Sequence, residues 1–540
     1  MIRMTEGVLL LGAFLVSILL FFFGNSQVFP LGITDFIFFS ILAFFFALYR
    51  PGWAFLIFLA LLPFEMVDIS PGVLPLSLRP YQLLSGVILL SMGIRFATKR
   101  LPFPIMRFRW FDTLPIIFGI GGVLSISCSA DVPSAAKQAV VVFSFVAIYF
   151  LSRQFLGGAR DARRIVLFLV LSSVGTALFA LWQSVRFTAG HAAFEVMPGR
   201  PNAFFSEPDW LGMFFILSGT IALALLFLDL TRNRVTEGEM LSGHLLSDRC
   251  RRTFRQSAVL LLSFAFLALS WTGILLTVAR SAWVGFALSS FLFPMLLLWE
   301  DSWRLRSWQW TRMAKGYVII ALSFVAAILV IRGFRLTTFD LTDRAGSTAS
   351  GQQEITVSCD TSGVLPKSIE SVSELASYGC RFIRLEDMNA EQAAGKFVTT
   401  VFRPDPSIEA RRAISQKTTE ILVSHWLFGI GWGGIGNILG TDDRGASLNA
   451  SNAFLEAWLG GGLISALSFL MLWTLVPLYA LRRFFVSARE SDQGSYRAIA
   501  VFFLLSWVGF TVFNLFNSGI LLGFVWVWLG GIGIIAVREK

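Results

Sequence analysis

Two arginines sit at the edges of apolar runs, where short polar residues could turn them into an anion clamp. Arg280 lies in the turn Thr277-Val278-Ala279-Arg280-Ser281-Ala282-Trp283, between apolar runs at 257–277 and 282–299. Arg200 lies in Gly199-Arg200-Pro201-Asn202-Ala203-Phe204-Phe205-Ser206-Glu207-Pro208-Asp209-Trp210, ahead of a run at 211–229. A guanidinium presents a planar fork of donors, which suits the paired, charge-assisted hydrogen bonds of a diphosphate. The bland alternative is an arginine snorkelling to a membrane interface. Glu207 is a candidate general base, although acids also favour the first turn of a helix for dipole reasons alone. Ser206-x-x-Asp209 fits a capping box, so Asp209 either caps the next helix or joins Asn202 and Ser281 in binding substrate.

A third cluster closes the one long polar interval, Arg332 to Asn452. It reads Ser424-His425-Trp426-Leu427-Phe428-Gly429-Ile430-Gly431-Trp432-Gly433-Gly434, followed by Ser451-Asn452-Ala453-Phe454-Leu455-Glu456. His425 is a second candidate acid–base group, and Asn452 and Glu456 are candidate substrate ligands. Gly431 to Gly436 formally matches G-x-G-x-x-G, but no βαβ unit surrounds it, so a dinucleotide site is rejected. Its glycines suit a tight return of the backbone to the membrane surface. The three histidines and four cysteines show no metal-ligand spacing, and neither a metal nor a cofactor is expected. Cys359 and Cys380 share the polar interval; a disulfide and two unrelated thiols are both open readings.

The elements that must position these residues are membrane helices. Of 540 residues, 55% are hydrophobic and only 14% charged, with a mean hydropathy of +0.71, whereas soluble chains carry about 25% charged residues. Apolar runs of about 20 residues span a bilayer, and about fourteen are present, near 7–23, 33–49, 52–67, 81–97, 113–127, 138–152, 165–182, 211–229, 257–277, 282–299, 316–332, 453–480, 498–516 and 519–537. The run at 7–23 has no cleavage site after it and reads as an uncleaved helix. Arg and Lys crowd alternate loops, including Arg95 to Arg109, Arg153 to Arg164, Arg232 to Arg255, Arg304 to Lys315 and Arg482 to Arg497, while the others are nearly bare. The positive-inside rule then places both termini in the cytoplasm and the polar interval outside. The net charge of +10 reports these loops, so nucleic acid is not the expected partner.

The expected fold is therefore an all-α polytopic membrane protein of about 14 transmembrane helices. Its one large extracytoplasmic loop should form a small, mainly helical cap, with helices at 366–378 and 407–423. Four units follow: N-terminal helices at 1–182, a core with the outer arginine loops at 183–332, the large loop at 333–452, and C-terminal helices at 453–540. Acids within the spans are few, with Asp35 and Glu65 near their ends, which weighs against an ion-coupled transporter.

Arg200-Pro201-Asn202-x-Phe204 with Glu207-Pro208, the Thr277-x-x-Arg280-Ser281-Ala282 turn, and an outer loop ending in His425-x-x-x-Gly429-x-Gly431 together resemble the bacterial O-antigen ligase and polymerase superfamily. Ser451-Asn452, nine residues, then Gly462 is similar to that family's last motif. The likeness covers roughly residues 195 to 480. It implies a metal-independent glycosyltransferase of the bacterial inner membrane, taking glycan from undecaprenyl pyrophosphate at the periplasmic face to a glycan or lipid acceptor. Arg200 and Arg280 would hold the diphosphate, and Glu207 or a residue of the outer loop, His425 among them, would take the proton. Chain-length-regulator or export partners would be consistent with it. The ligases carry His before the motif Asn where this chain has Ser451, and an acid where it has Gly460. That favours a repeat-unit polymerase over a ligase, with a non-catalytic polysaccharide or lipid exporter as the alternative from another class.

Overall fold

A computed structural model of the chain describes residues 32–71, 77–157, 159–237, 246–299, 309–337, 341, 352–360, 366–370, 372–383, 388–404, 406–441, 448–486 and 493–536. The expected first span, 7–23, lies outside these. Each other apolar run coincides with a helix: α1 (Ile33–Tyr49), α2 (Pro51–Ala60), α3 (Pro80–Ala97), α4 (Thr113–Leu124), α5 (Val132–Phe155), α6 (Ala159–Thr188), α7 (Pro208–Glu237), α8 (Leu246–Leu276), α9 (Arg280–Leu298) and α10 (Trp310–Gly333). Among the described residues, ten helical stretches are long and apolar enough to cross a membrane; Ile33–Tyr49, Pro51–Ala60 and Gly523–Ile535 are apolar but shorter. Several starts are written locally. Pro51, Pro80 and Pro208 open their helices, where the missing N–H costs nothing. Asp131 accepts from Ser134 N at 3.0 Å to cap α5. α7 is the hub, with 89% of its apolar window buried inside the bundle.

After the polar interval come α14 (Ala453–Val486), α15 (Gln493–Asn514), α16 (Gly523–Gly530) and α17 (Ile532–Ile535). α14 is broken at Gly462, whose φ of 70° and ψ of −173° are not helical. The segment leading out of the polar interval fills the break. Ile430 N donates to Leu459 O at 2.8 Å, and Leu463 N donates to Leu427 O at 3.1 Å. Backbone groups freed by a break inside an apolar helix must find protein partners, and here they do. A Cβ on Gly429 would stand 2.3 Å from Leu459 O, and one on Gly462 2.1 Å from Leu427 O. The expected tight return of a glycine-rich backbone is thus a graft onto a broken helix. Below it Ser465 Oγ donates to Phe118 O at 2.8 Å, tying α14 to α4.

The polar interval departs from the mainly helical cap. It contains a three-stranded antiparallel sheet, ordered β2-β1-β3, from β1 (Gln352–Cys359), β2 (Cys380–Phe382) and β3 (Phe397–Pro404). Among the described residues of the expected 366–378 helix, only Val372–Tyr378 is helical, as a 3-10 turn. It packs Leu375 with Ile369 onto Ile355, Val357 and Val401 of the sheet. A short α11 (Met388–Ala393) sits by the other face, where Ser358 Oγ donates to Glu391 at 2.7 Å. Cys359 and Cys380 oppose each other in the β1–β2 register and are joined as a disulfide. The second expected helix is present as α12 (Pro406–His425), followed by a short α13 (Ile435–Leu439). The strands were missed although Ile355-Thr356-Val357-Ser358-Cys359 alternates apolar and polar: the alternation spans only five residues inside a long polar interval, and as the middle strand it buries both faces.

Candidate functional site

Three helices, α7, α9 and α14, begin at one place, and the loop joining α15 to α16 fastens them together. Asn517 Nδ2 donates to Ser281 Oγ at the start of α9, at 2.6 Å. Trp210 Nε1, at the start of α7, donates to Ser518 O at 3.2 Å. Asn452 Nδ2, at the start of α14, donates to Leu515 O at 3.3 Å. A helix N-terminus carries roughly half a positive charge and unmet N–H donors, so the convergence of three favours an anion.

Arg280 is the first residue of α9 and is half-buried. Arg200 braces the loop that faces it: Nε donates to Thr277 O at 2.9 Å, Nη2 pairs with Asp209 at 3.0 Å, and Nη1 lies 3.2 Å from Met197 Sδ. Asp209 therefore answers Arg200 in the first turn of α7. Glu207 is half-buried beside it. Glu456, on the short first segment of α14, is buried against Ser518 and the Ala450 backbone, within electrostatic reach of Glu207. Its Oε2 has no hydrogen-bond partner. A buried carboxylate oxygen left unmet calls for an explanation, and a donor from a bound ligand supplies one.

The backbone is strained at the same place. Six non-glycine residues have positive φ among the described residues, and three of them are Ala203 (46°), Val278 (55°) and Ser451 (51°). Each lies in one of the loops that enter the cluster. For a β-branched residue such as Val278 this region is a true outlier, and such strain gathers at ligand-binding sites.

Several expected ligands already hold protein partners. Asn202 is fully buried: its Nδ2 donates to Phe205 O at 2.6 Å and its Oδ1 accepts from Val196 N at 3.2 Å. It shapes the loop rather than meeting substrate. Asn452 caps α14, accepting from Phe454 N at 2.9 Å and Leu455 N at 3.1 Å. Ser281 accepts from Asn517, so it too is a positioning residue. The exposed His425 ring bonds to Ser424 Oγ at 2.8 Å and Ile421 O at 3.4 Å of its own helix.

Sequence reasoning missed Asn517, Ser518 and Glu195. The first two fill the gap between apolar runs, and no local signal marks them. Glu195 Oε2 accepts from Gly199 N at 2.9 Å, closing the turn that presents Arg200, while Oε1 is buried without a partner. Burial pushes this carboxyl up to about 7, against the opposing pull of the Gly199 N–H. Nearby, Glu65 accepts from Tyr81 at 2.8 Å and from Gly523 N at 3.2 Å and pairs with Arg79 at 2.8 Å, fixing the start of α16. At the opposite end, Asp112 pairs with Arg153 at 2.9 Å and accepts from Tyr149 at 2.8 Å. Buried charge is thus more common than the sequence suggests, but it sits at helix ends.

Fold and cluster define a polytopic helical membrane protein with a polar rim of arginines, carboxylates and helix N-termini at one end of the bundle. No family model and no curated protein matches the chain. Among the described residues no three His, Cys, Asp or Glu side chains are grouped to hold a metal ion.

Proposed function

We propose that this protein transfers a glycan from undecaprenyl pyrophosphate to a growing polysaccharide chain at the periplasmic face of a bacterial inner membrane. The observation that carries the reading is the convergence of Arg280, Arg200, Glu207 and Glu456 at three helix N-termini held by one loop. The disulfide suits an oxidising compartment, which agrees with the orientation set by the basic loops. On this reading the spans number about fourteen, both termini are cytoplasmic, and the sheet-bearing interval caps the site.

The chemistry asks little of the protein beyond electrostatics. An acceptor hydroxyl oxygen bonds to the anomeric carbon, the bond from that carbon to the phosphate oxygen breaks, and the diphosphate leaves with the electron pair. Arg280 and the N-terminus of α9 meet the growing negative charge, and Arg200 keeps the Thr277 turn in place beneath it. Glu207 takes the hydroxyl proton, and the unmet oxygen of Glu456 accepts a hydrogen bond from the acceptor. His425 has no role in this scheme.

The test is product analysis with purified protein and a lipid-pyrophosphate-linked repeat unit, without divalent metal. A ladder of lengthened chains on the carrier supports the polymerase. Transfer of whole chains to a lipid or core acceptor instead makes the protein a ligase. A donor untouched across a panel of repeat units, with the protein folded, removes catalysis and favours an exporter.

A further inference from the structure

A second site lies inside the bundle and has different chemistry. An almost wholly apolar cavity of about 210 Å³ runs between α6, α7, α15 and α16. It is larger than the roughly 150 Å³ apolar cavity that stays dry and takes up benzene. Its end nearest the rim is sealed by Leu62, Leu217 and Phe524, all buried. Its wall at the opposite end includes Val166, Leu225 and Ile499, which are only partly covered. The cavity is thus blind toward the candidate site and reached from the half of the bundle that carries the basic loops. A hydrocarbon chain whose headgroup is held at the rim cannot enter it from there.

We propose that this cavity holds the end of one acyl chain of an anionic phospholipid drawn from the leaflet at the basic end. Inside a bilayer the only abundant solvent for such a space is hydrocarbon, and filling it recovers dispersion contacts that an empty void forfeits. The sign of the headgroup follows from the basic loops of that end, which outweigh exposed Asp161 beside the wall. Exposed Arg164 stands next to Ile165 of the cavity wall, and the loops of that end are rich in arginine. Occupancy has a route to the rim. Phe524, which seals the inner end, packs edge-on against Phe205 and Phe214, with ring centres 6.1 and 5.5 Å away. Phe205 belongs to the loop that carries Arg200. A chain pressed beneath Phe524 therefore supports the floor of that loop.

The experiment compares wild type with Ala224→Phe, which fills the cavity, and Ile499→Trp, which blocks its half-covered wall. Each is purified from nanodiscs of phosphatidylcholine with or without phosphatidylglycerol, then studied by native mass spectrometry and thermal melting. Wild type should retain one phosphatidylglycerol in preference to phosphatidylcholine and melt higher when it is present, because a ligand bound only by the folded state raises stability. Both folded variants should lose the bound lipid and that increment; if Ala224→Phe does not fold, Ile499→Trp decides alone. Undiminished retention in the folded variants overturns the proposal. So does wild type that carries no phospholipid, or that carries an isoprenoid diphosphate in its place.

Discussion

Replacing Arg200 by Ala should separate a brace from a clamp, because the geometry gives this side chain two protein partners. It donates to Thr277 O at 2.9 Å and to Asp209 at 3.0 Å, with about a quarter of the side chain exposed (26%). A charge-assisted hydrogen bond is worth roughly 1.5–3 kcal/mol when well buried. Partial exposure and screening cut that by roughly half, so Arg200→Ala should cost about 2 kcal/mol for the two bonds together. Asp209→Asn keeps the shape and removes the charge, at a cost of about 1 kcal/mol. In a double-mutant cycle the two changes should couple by about 1 kcal/mol, since both remove the same pair. Unfolding in mixed micelles, followed by tryptophan fluorescence, gives the stabilities, and turnover of the lipid-linked donor gives the activities. The double variant should be no less active than Arg200→Ala alone. Strict additivity in both measurements would show that the pair does not act as a unit, and the brace argument would be wrong.

Other consequences of the geometry can be measured separately. Glu195 has its folded-state carboxyl raised from 4.5 to about 7 by burial, so the folded form holds the proton more tightly than the unfolded chain. Its contribution is complete below the unfolded value and is lost as pH rises from about 4.5 through about 7; Glu195→Gln should flatten melting temperature across that window, and an unchanged slope rejects the assignment. Reducing the Cys359–Cys380 disulfide, which closes a separation of 21 residues, should cost the sheet module about 3 kcal/mol and open it to protease, while the bundle melts as before. Equal protease resistance with and without reductant would show that the sheet does not depend on the bridge. Gly462→Ala must place a Cβ 2.1 Å from Leu427 O at a φ of 70°, so it should abolish folded protein, whereas Gly52→Ala meets nothing within 4 Å and should be silent. A normally melting Gly462→Ala would mean that α14 is not broken there.

Much of the scaffold was legible because a helix in lipid announces itself by length and apolarity. Each run from 33–49 onward contains a helix, ten of the helical stretches being long enough to span a membrane; the run at 52–67 is helical only over Pro51–Ala60, and that at 519–537 is two short helices. Arg280 was visible because a guanidinium in a short, otherwise uncharged turn opposes the charge pattern of its neighbours. What the sequence could not show is which loops meet. Asn517 and Ser518 occupy a brief gap between two apolar runs, yet they fasten α7 and α9. Asn202 and Asn452 stand in the motifs that carry the resemblance; in the structure their amides shape a loop and cap a helix. His425 drew notice by its nearness in sequence to the glycines; its ring bonds within its own helix, and the residues after it fill the break in α14. The sheet was hidden because its middle strand alternates over only five residues, Ile355 to Cys359, and its neighbours lie far off in a polar interval, joined by pairings that spacing alone does not reveal.

The central claim is that Arg280, at the start of α9, holds the leaving diphosphate. The most direct test is turnover of an undecaprenyl-pyrophosphate-linked glycan by purified Arg280→Ala beside wild type, with melting curves of both. Loss of one preorganised donor at a developing charge costs about 10²–10³ in turnover, so the variant should fall by that factor while melting close to wild type. A folded Arg280→Ala that turns the donor over as fast as wild type would make this arginine an interface anchor and contradict the account.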